Sequence, residues 1–253
     1  MKIIKYSLLI ILYLILSSCK TENHEFPIEK RYWDLSDYDD AILELRYGYK
    51  DDESLPTFDN PENRIIVEKL TDHQNYKVVL DDKELGLKHR NEVASTFFNK
   101  WKDMNKIYSD TDRKDNYIYE EEMLKVWHFG LELQLKYFKL GNDQIKKNAD
   151  DPNSSDVKNT IRSNINTMIS NYLIYLDLIN NEKSFTTNGK KILAEGIDSH
   201  FIMLVKRYPN ANYKDLSKKI ELMLKKTESD NIKTSLTKLN LLLAELKKNN
   251  KEK

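Results

Sequence analysis

The sequence predicts an all-α protein: one compact body of about eight helices, built as an antiparallel bundle or a stack of helical hairpins, with at most one short strand. Three observations carry this expectation. Only six glycines and five prolines punctuate 253 residues, whereas a β-sandwich or barrel needs turn signals roughly every 8–12 residues. Lys, Asn, Ile, Leu, Asp and Glu fill the chain instead, and most of these are compatible with long helices. In segment after segment the apolar residues recur at steps of three and four, the spacing that lines one face of a helix.

The chain begins with Lys2 and Lys5, then an apolar run from Tyr6 to Leu16, then Leu16-Ser17-Ser18-Cys19. A positive start, a short apolar stretch and small residues at its end form an export signal, too short for a permanent membrane span. Leu16-Ser17-Ser18-Cys19 resembles the lipobox of bacterial lipoproteins, and Cys19 is the only cysteine in the chain. The resemblance covers the export segment alone. It implies that residues 1–18 are a signal peptide removed by signal peptidase II and that Cys19 is lipidated. Residues 19–30 then form a tether, and 31–253 the helical body. The membrane becomes a partner through the N-terminal lipid. Lys20, standing where an Asp would signal inner-membrane retention, implies the outer membrane, on its periplasmic face or at the cell surface. With Cys19 acylated, no thiol is left for a disulfide, so packing must hold the body together.

In the body, Asp34 or Ser36 caps a first helix in which Leu35, Tyr38, Ile42, Leu45 and Tyr49 follow at steps of 3, 4, 3 and 4. Residues 50–59 read as an acidic loop. Asn60-Pro61 reads as an N-cap with proline in the first helical position, opening a brief helix with Ile65, Ile66 and Leu70 on its apolar side. Tyr76, Val78 and Leu80 alternate, which makes 76–80 the one strand candidate; an extended segment lying on helices fits equally well. From about Asn91 a helix carries Val93, Phe97, Trp101, Met104 and Tyr108. The segment from Tyr117 to Leu140 is apolar in nearly every direction, so it is expected at the centre, with Gly130 allowing a close crossing and Gly141 marking a C-cap or bend. Asp150 to Ser155 is the clearest internal linker, and 149–155 the candidate subdomain boundary. Beyond it Val157, Ile161, Ile165, Met168, Tyr172, Leu176 and Ile179 step 4, 4, 3, 4, 4 and 3 along a long helix. Thr186 to Gly189 breaks the chain, Tyr208-Pro209 closes the next helix, and two more follow around Leu216 and Leu236. No self-similarity at the tetratricopeptide period is present.

The motifs for common chemistries are missing. The chain holds no Gly-x-Ser-x-Gly elbow, no Gly-x-Gly-x-x-Gly, no Gly-Lys-Ser/Thr loop and no His-Glu-x-x-His. A non-catalytic protein with no cofactor and no metal is therefore expected. His128 and Glu132 stand one helical turn apart, too few ligands for a metal; His128 is expected to be satisfied by Glu132 or a carbonyl, and His200 likewise. The one calcium candidate is a loop in which Asp110, Asp112 and Glu121 match EF-hand positions 1, 3 and 12. Lys114 and Asp115 oppose it at positions 5 and 6. The ordinary reading is an acidic lead-in to a helix N-terminus, where negative charge is favoured.

Charge is balanced overall but not locally: residues 20–60 hold twelve acidic against five basic groups, and residues 183–253 eight against sixteen. Export argues against nucleic acid as the partner of the basic part; anionic headgroups, an acidic protein or plain solvent suit it better. Fifteen tyrosines are many for a helical domain. The aromatics Tyr32, Trp33, Tyr38, Tyr47 and Tyr49 lie among Asp37, Asp39, Asp40, Asp51, Asp52 and Glu53, a composition suited to a protein interface. The same composition fits a helix docked on the core with its acids in water. A lipid anchor, a short tether and a motif-free body with an acidic aromatic surface resemble, in general plan, the envelope immunity lipoproteins that neutralise toxins delivered by type VI secretion. That resemblance implies a toxin as the protein partner. The alternative is a structural or ligand-binding lipoprotein of an outer-membrane uptake or assembly complex.

Overall fold

A computed structural model describes residues 26–50, 55–110 and 117–249, the backbone alone at residues 48–50 and 110. Cys19 and the lipobox, Asp51, Asp52, Glu53 and Asp112 lie outside the described residues, as do the side chains of Tyr49 and Asp110. Every regular element among the described residues is helical: α1 Leu35–Lys50, α2 Arg64–Leu70, α3 Gln74–Leu80, α4 Leu87–Asp110, α5 Glu120–Asn148, α6 Ser155–Asp177, α7 Thr187–Gly196, α8 Ile202–Arg207, α9 Lys214–Lys226 and α10 Asp230–Asn249. A 3-10 stretch, Leu178–Ser184, extends α6, and a π-turn, Ile197–Phe201, joins α7 to α8 without a break.

The central position of α5 follows from its composition. Met123, Leu124, Val126, Trp127, Phe129, Leu131, Leu133 and Leu135 are all buried, so no face is left for solvent along this stretch. α4 lies antiparallel to it: Trp101 reaches Val126 and Gly130, while Phe98 stacks on Tyr137 further along. Gly130 makes that crossing close, since a Cβ there would fall inside the Trp101 indole. α6 is antiparallel on another side, with Asn164 donating to Asn142 and Tyr172 to the Leu131 carbonyl. α7 returns parallel to α5, and α1, α9 and α10 complete the shell.

Several sequence expectations change here. Residues 76–80 are neither strand nor extended: they belong to α3, where Tyr76 and Leu80, four apart, are buried and Val78 is 50% exposed. Two apolar residues at i and i+4 satisfy the helical period as well as alternation does. α2 begins at Arg64, not at Pro61, because Asn60 folds into a turn of its own, accepting from the Glu62 amide. α4 starts four residues before Asn91, and α5 runs through Gly141 to Asn148 without a cap or bend. Asp34 is the cap of α1: it accepts from the Ser36 and Asp37 amides at 2.8 and 3.1 Å. The elements on both sides of 149–155 feed one continuous core.

Candidate functional site: a partner-facing helix and a buried histidine cluster

The residues singled out around α1 divide between interior and surface. Trp33 is fully buried, its indole N–H donating to the Pro27 carbonyl at 3.0 Å and its amide to the Asn75 side chain at 2.8 Å. Phe26 stacks on it and Tyr38 meets it edge-on. Asp37 is buried too: it accepts from the Asp34 amide at 2.9 Å, closing a reciprocal capping box, and pairs with Lys30 at 2.5 Å. Tyr38 is fully buried as well, donating to the Leu70 carbonyl at 2.8 Å, so none of the three can meet a partner, which corrects the sequence expectation. A large aromatic flanking an N-cap packs inward, and a carboxylate three residues after an N-cap serves the helix end. Tyr32 is half-buried beneath the Arg31 guanidinium. Asp39 is exposed and ion-paired with Lys100 of α4.

Outward on α1 are Ser36, Asp39, Asp40, Leu43, Arg46 and Tyr47, with Arg46 neutralised by Asp103 of α4 at 3.0 Å. Leu43 and Tyr47 are 40% and 48% exposed, one turn apart and in line with the two acids. Sequence reasoning missed Leu43. The signal was present: it falls off the apolar stripe of Leu35, Tyr38, Ile42 and Leu45, so it had to face away from the core. Glu121, from the calcium candidate, accepts from the Asn188 amide group at 3.4 Å, and Glu120 beside it accepts from the Thr186 amide at 2.9 Å. These carboxylates join the start of α5 to the start of α7. Glu122 turns inward and accepts from the Phe58 amide at 2.6 Å; burial raises its carboxyl pKa, partly offset by that amide.

A second assembly could not be read from spacing. His73, His128 and His200, far apart in sequence, converge beside α5. The His128 and His200 rings are 5.1 Å apart, and His73 and His200 6.5 Å. His128 does not use Glu132, contrary to expectation. Its Nε2 lies 2.9 Å from the Tyr175 hydroxyl. Tyr175 gives its own proton to the Leu193 carbonyl at 3.1 Å, so His128 is the donor. Glu132 is held by Lys77 at 2.7 Å and by Nδ1 of His73 at 3.3 Å. His200 is not satisfied: its Nδ1 is buried with no hydrogen-bond partner. It sits in the π-turn, where the extra residue in the turn redirects the side chain inward.

Burial lowers the pKa of all three rings. His128 falls to about 2, pushed further by His200, Lys125 and His73. His200 falls to about 4, with His73 and Lys125 adding to burial and Glu132 opposing it. His73 is lowered by burial against the pull of Glu132, with Lys77 and Lys125 assisting and Asp72 resisting. Glu132 is itself lowered, because Lys77 and His73 outweigh its burial. At neutral pH this is a set of uncharged imidazoles around one carboxylate. Among the described residues no group of three or more His, Cys, Asp or Glu is disposed to hold a metal ion, and none of their helices is long and apolar enough to cross a membrane. The cluster ties α3, α5, α6 and the π-turn together. The chain matches no family profile, no curated protein and no solved structure.

Proposed function

We propose that the protein is a membrane-anchored, protein-binding lipoprotein, and that it is an immunity protein that binds and occludes a toxin delivered into the periplasm. The observation that carries this reading is the outer stripe of α1. Asp40, Leu43 and Tyr47 stand exposed in line, apolar side chains beside acid, which suits contact with a basic, partly apolar surface on another protein. Anchoring rests on Leu16-Ser17-Ser18-Cys19. Seven residue steps separate Cys19 from Phe26, which is pinned against Trp33. Even fully extended they span at most about 25 Å, so the body and its α1 face stay close to the bilayer. Occlusion needs complementary shape and charge and no catalytic residue.

The test is affinity capture from detergent-solubilised membranes with the full-length protein, followed by kinetics with the recovered partner. Wild type should retain a toxin and abolish its activity. Asp40→Lys combined with Tyr47→Ala should slow association at least tenfold, and the difference should shrink in high salt. Asp39 is left intact because its pairing with Lys100 mixes folding with binding. Equal association rates for the two proteins would remove α1 as the binding face. Recovery of a transporter or assembly complex in place of a toxin would favour the scaffold alternative.

A further inference from the structure

We propose that a cation-lined cleft between α5, α6 and the segment after α8 is a binding site for a phosphoryl-bearing ligand. The cleft has a volume of about 580 Å³, the size of a small-molecule site. Lys146 comes from the last turn of α5, Lys158 and Arg162 from the start of α6, and Arg207 from the end of α8; Ile161 and Ile165 supply an apolar floor. No carboxylate is among its lining residues within the described part of the chain. Among the described residues none of the four cations takes part in an ion pair. Of the acids next to the cleft residues in sequence, Asp143 pairs with Lys139, Asp151 accepts from the Asn153 amide at 2.8 Å, and Asp156 in the first turn of α6 accepts from the Ser155 hydroxyl at 3.5 Å.

Helix electrostatics explains only half of this arrangement. Lys146 and Arg207 end their helices, where a cation offsets the negative partial charge. Lys158 lies in the first turn of α6, the positive end, where it adds to the repulsion instead of relieving it, and Arg162, a turn further on, has no helix end to offset. In a chain with 41 basic and 41 acidic residues, four exposed cations without an acidic partner line one cleft, a positive field that a bound anion would neutralise. Two guanidinium groups favour a planar or tetrahedral oxyanion that accepts paired hydrogen bonds. A phosphate monoester, with close to two negative charges at neutral pH, suits four cations better than a single carboxylate. Ile161 and Ile165 would lie against the carbon part of the ligand. The phosphoryl group has two sources, a phospholipid headgroup or a soluble phosphate ester.

Titration calorimetry of the full-length protein in non-ionic detergent, with inorganic pyrophosphate as probe, tests the site. Wild type should give a saturable heat, and Arg162→Gln/Arg207→Gln should weaken binding at least tenfold. Lys233→Gln, on the exposed face of α10 away from the cleft, should leave it unchanged. If the double arginine variant does not fold, Lys146→Gln/Lys158→Gln makes the same test. Doping the micelles with phosphatidic acid, whose headgroup is a phosphate monoester, separates the sources. Displacement of pyrophosphate by that lipid, and not by phosphatidylcholine, assigns the site to an anionic headgroup; undisturbed pyrophosphate binding assigns it to a soluble ester. No saturable heat, equal heat from the cleft variants, or a response to polyglutamate alone would overturn the proposal.

Discussion

The imidazole of His200 is held where burial and neighbouring positive charge both oppose protonation, and its pH response follows from that. In the unfolded chain a histidine takes up a proton below about pH 6.5. In the folded protein His200 does so only near 4 and His128 near 2. Between those limits the unfolded state holds more protons, so stability that is complete above pH 6.5 is lost as the pH falls. At pH 5 the loss is about 2 kcal/mol for each ring. Urea denaturation at pH 7 and pH 5 measures it directly. His200→Gln removes one of the three lowered rings and should cut the pH-dependent loss at pH 5 by about 2 kcal/mol, whatever it does to stability at pH 7. A loss of unchanged size in that variant would mean that His200 is already protonated in the folded protein. Gln134 poses a related question without titration. Its amide is fully buried and neither of its side-chain polar atoms has a protein partner. Gln134→Met keeps the volume and removes the polar burden, so the folded state should gain about 1 kcal/mol in the same denaturation assay.

Helix crossings depend on two glycines of α5 and α7 whose roles differ sharply from that of Gly86. A Cβ at Gly130 would overlap the Trp101 indole, and one at Gly196 would meet Tyr175 and His128, whereas Gly86 has open space. Gly130→Ala and Gly196→Ala should each cost about 1–3 kcal/mol by forcing rings that are already packed. Gly86→Ala should stay within about 0.5 kcal/mol. Thermal melts of the three variants compare them. Of these, only the Gly130 crossing could be anticipated from the sequence, because it interrupts an otherwise apolar run. Long elements were legible for the same reason: α6 repeats its apolar residues over more than five turns, which no strand could imitate. α3 was not, because seven residues with Val78 and Val79 satisfy the periods of two and of 3.6 equally well. The histidine cluster and the cationic cleft were illegible for another reason. Their members lie on different helices, and no local period connects His73 to His200 or Lys146 to Arg207. Trp33 and Asp37 failed as surface residues because composition alone cannot say which members of an acidic aromatic stretch serve the helix cap.

For the molecule as a whole, the candidate boundary at 149–155 poses the question of cooperativity. The loop is polar and capped by Ser154, whose hydroxyl accepts from the Val157 amide at 3.3 Å, so locally it resembles a linker between independent parts. The side-chain partnerships say otherwise. Tyr172 and Tyr175 of α6 engage Leu131 and His128 of α5, Glu120 of α5 holds Thr186 ahead of α7, and Glu182 accepts from the Glu228 and Ser229 amides at the start of α10. Ending the chain at Asn148 would uncover the face of α5 that carries Leu131, and would leave His128 without Tyr175. Between Met123 and Leu135 α5 is covered on all sides, so it belongs fully to neither half. The protein should therefore unfold in one calorimetric transition whose van't Hoff and calorimetric enthalpies agree. The chain ended at Asn148 should show helical circular dichroism without a cooperative melt. Two resolved transitions in the full chain, or a sharp melt for the shortened one, would make 149–155 a true domain boundary and α5 the core of the first domain alone.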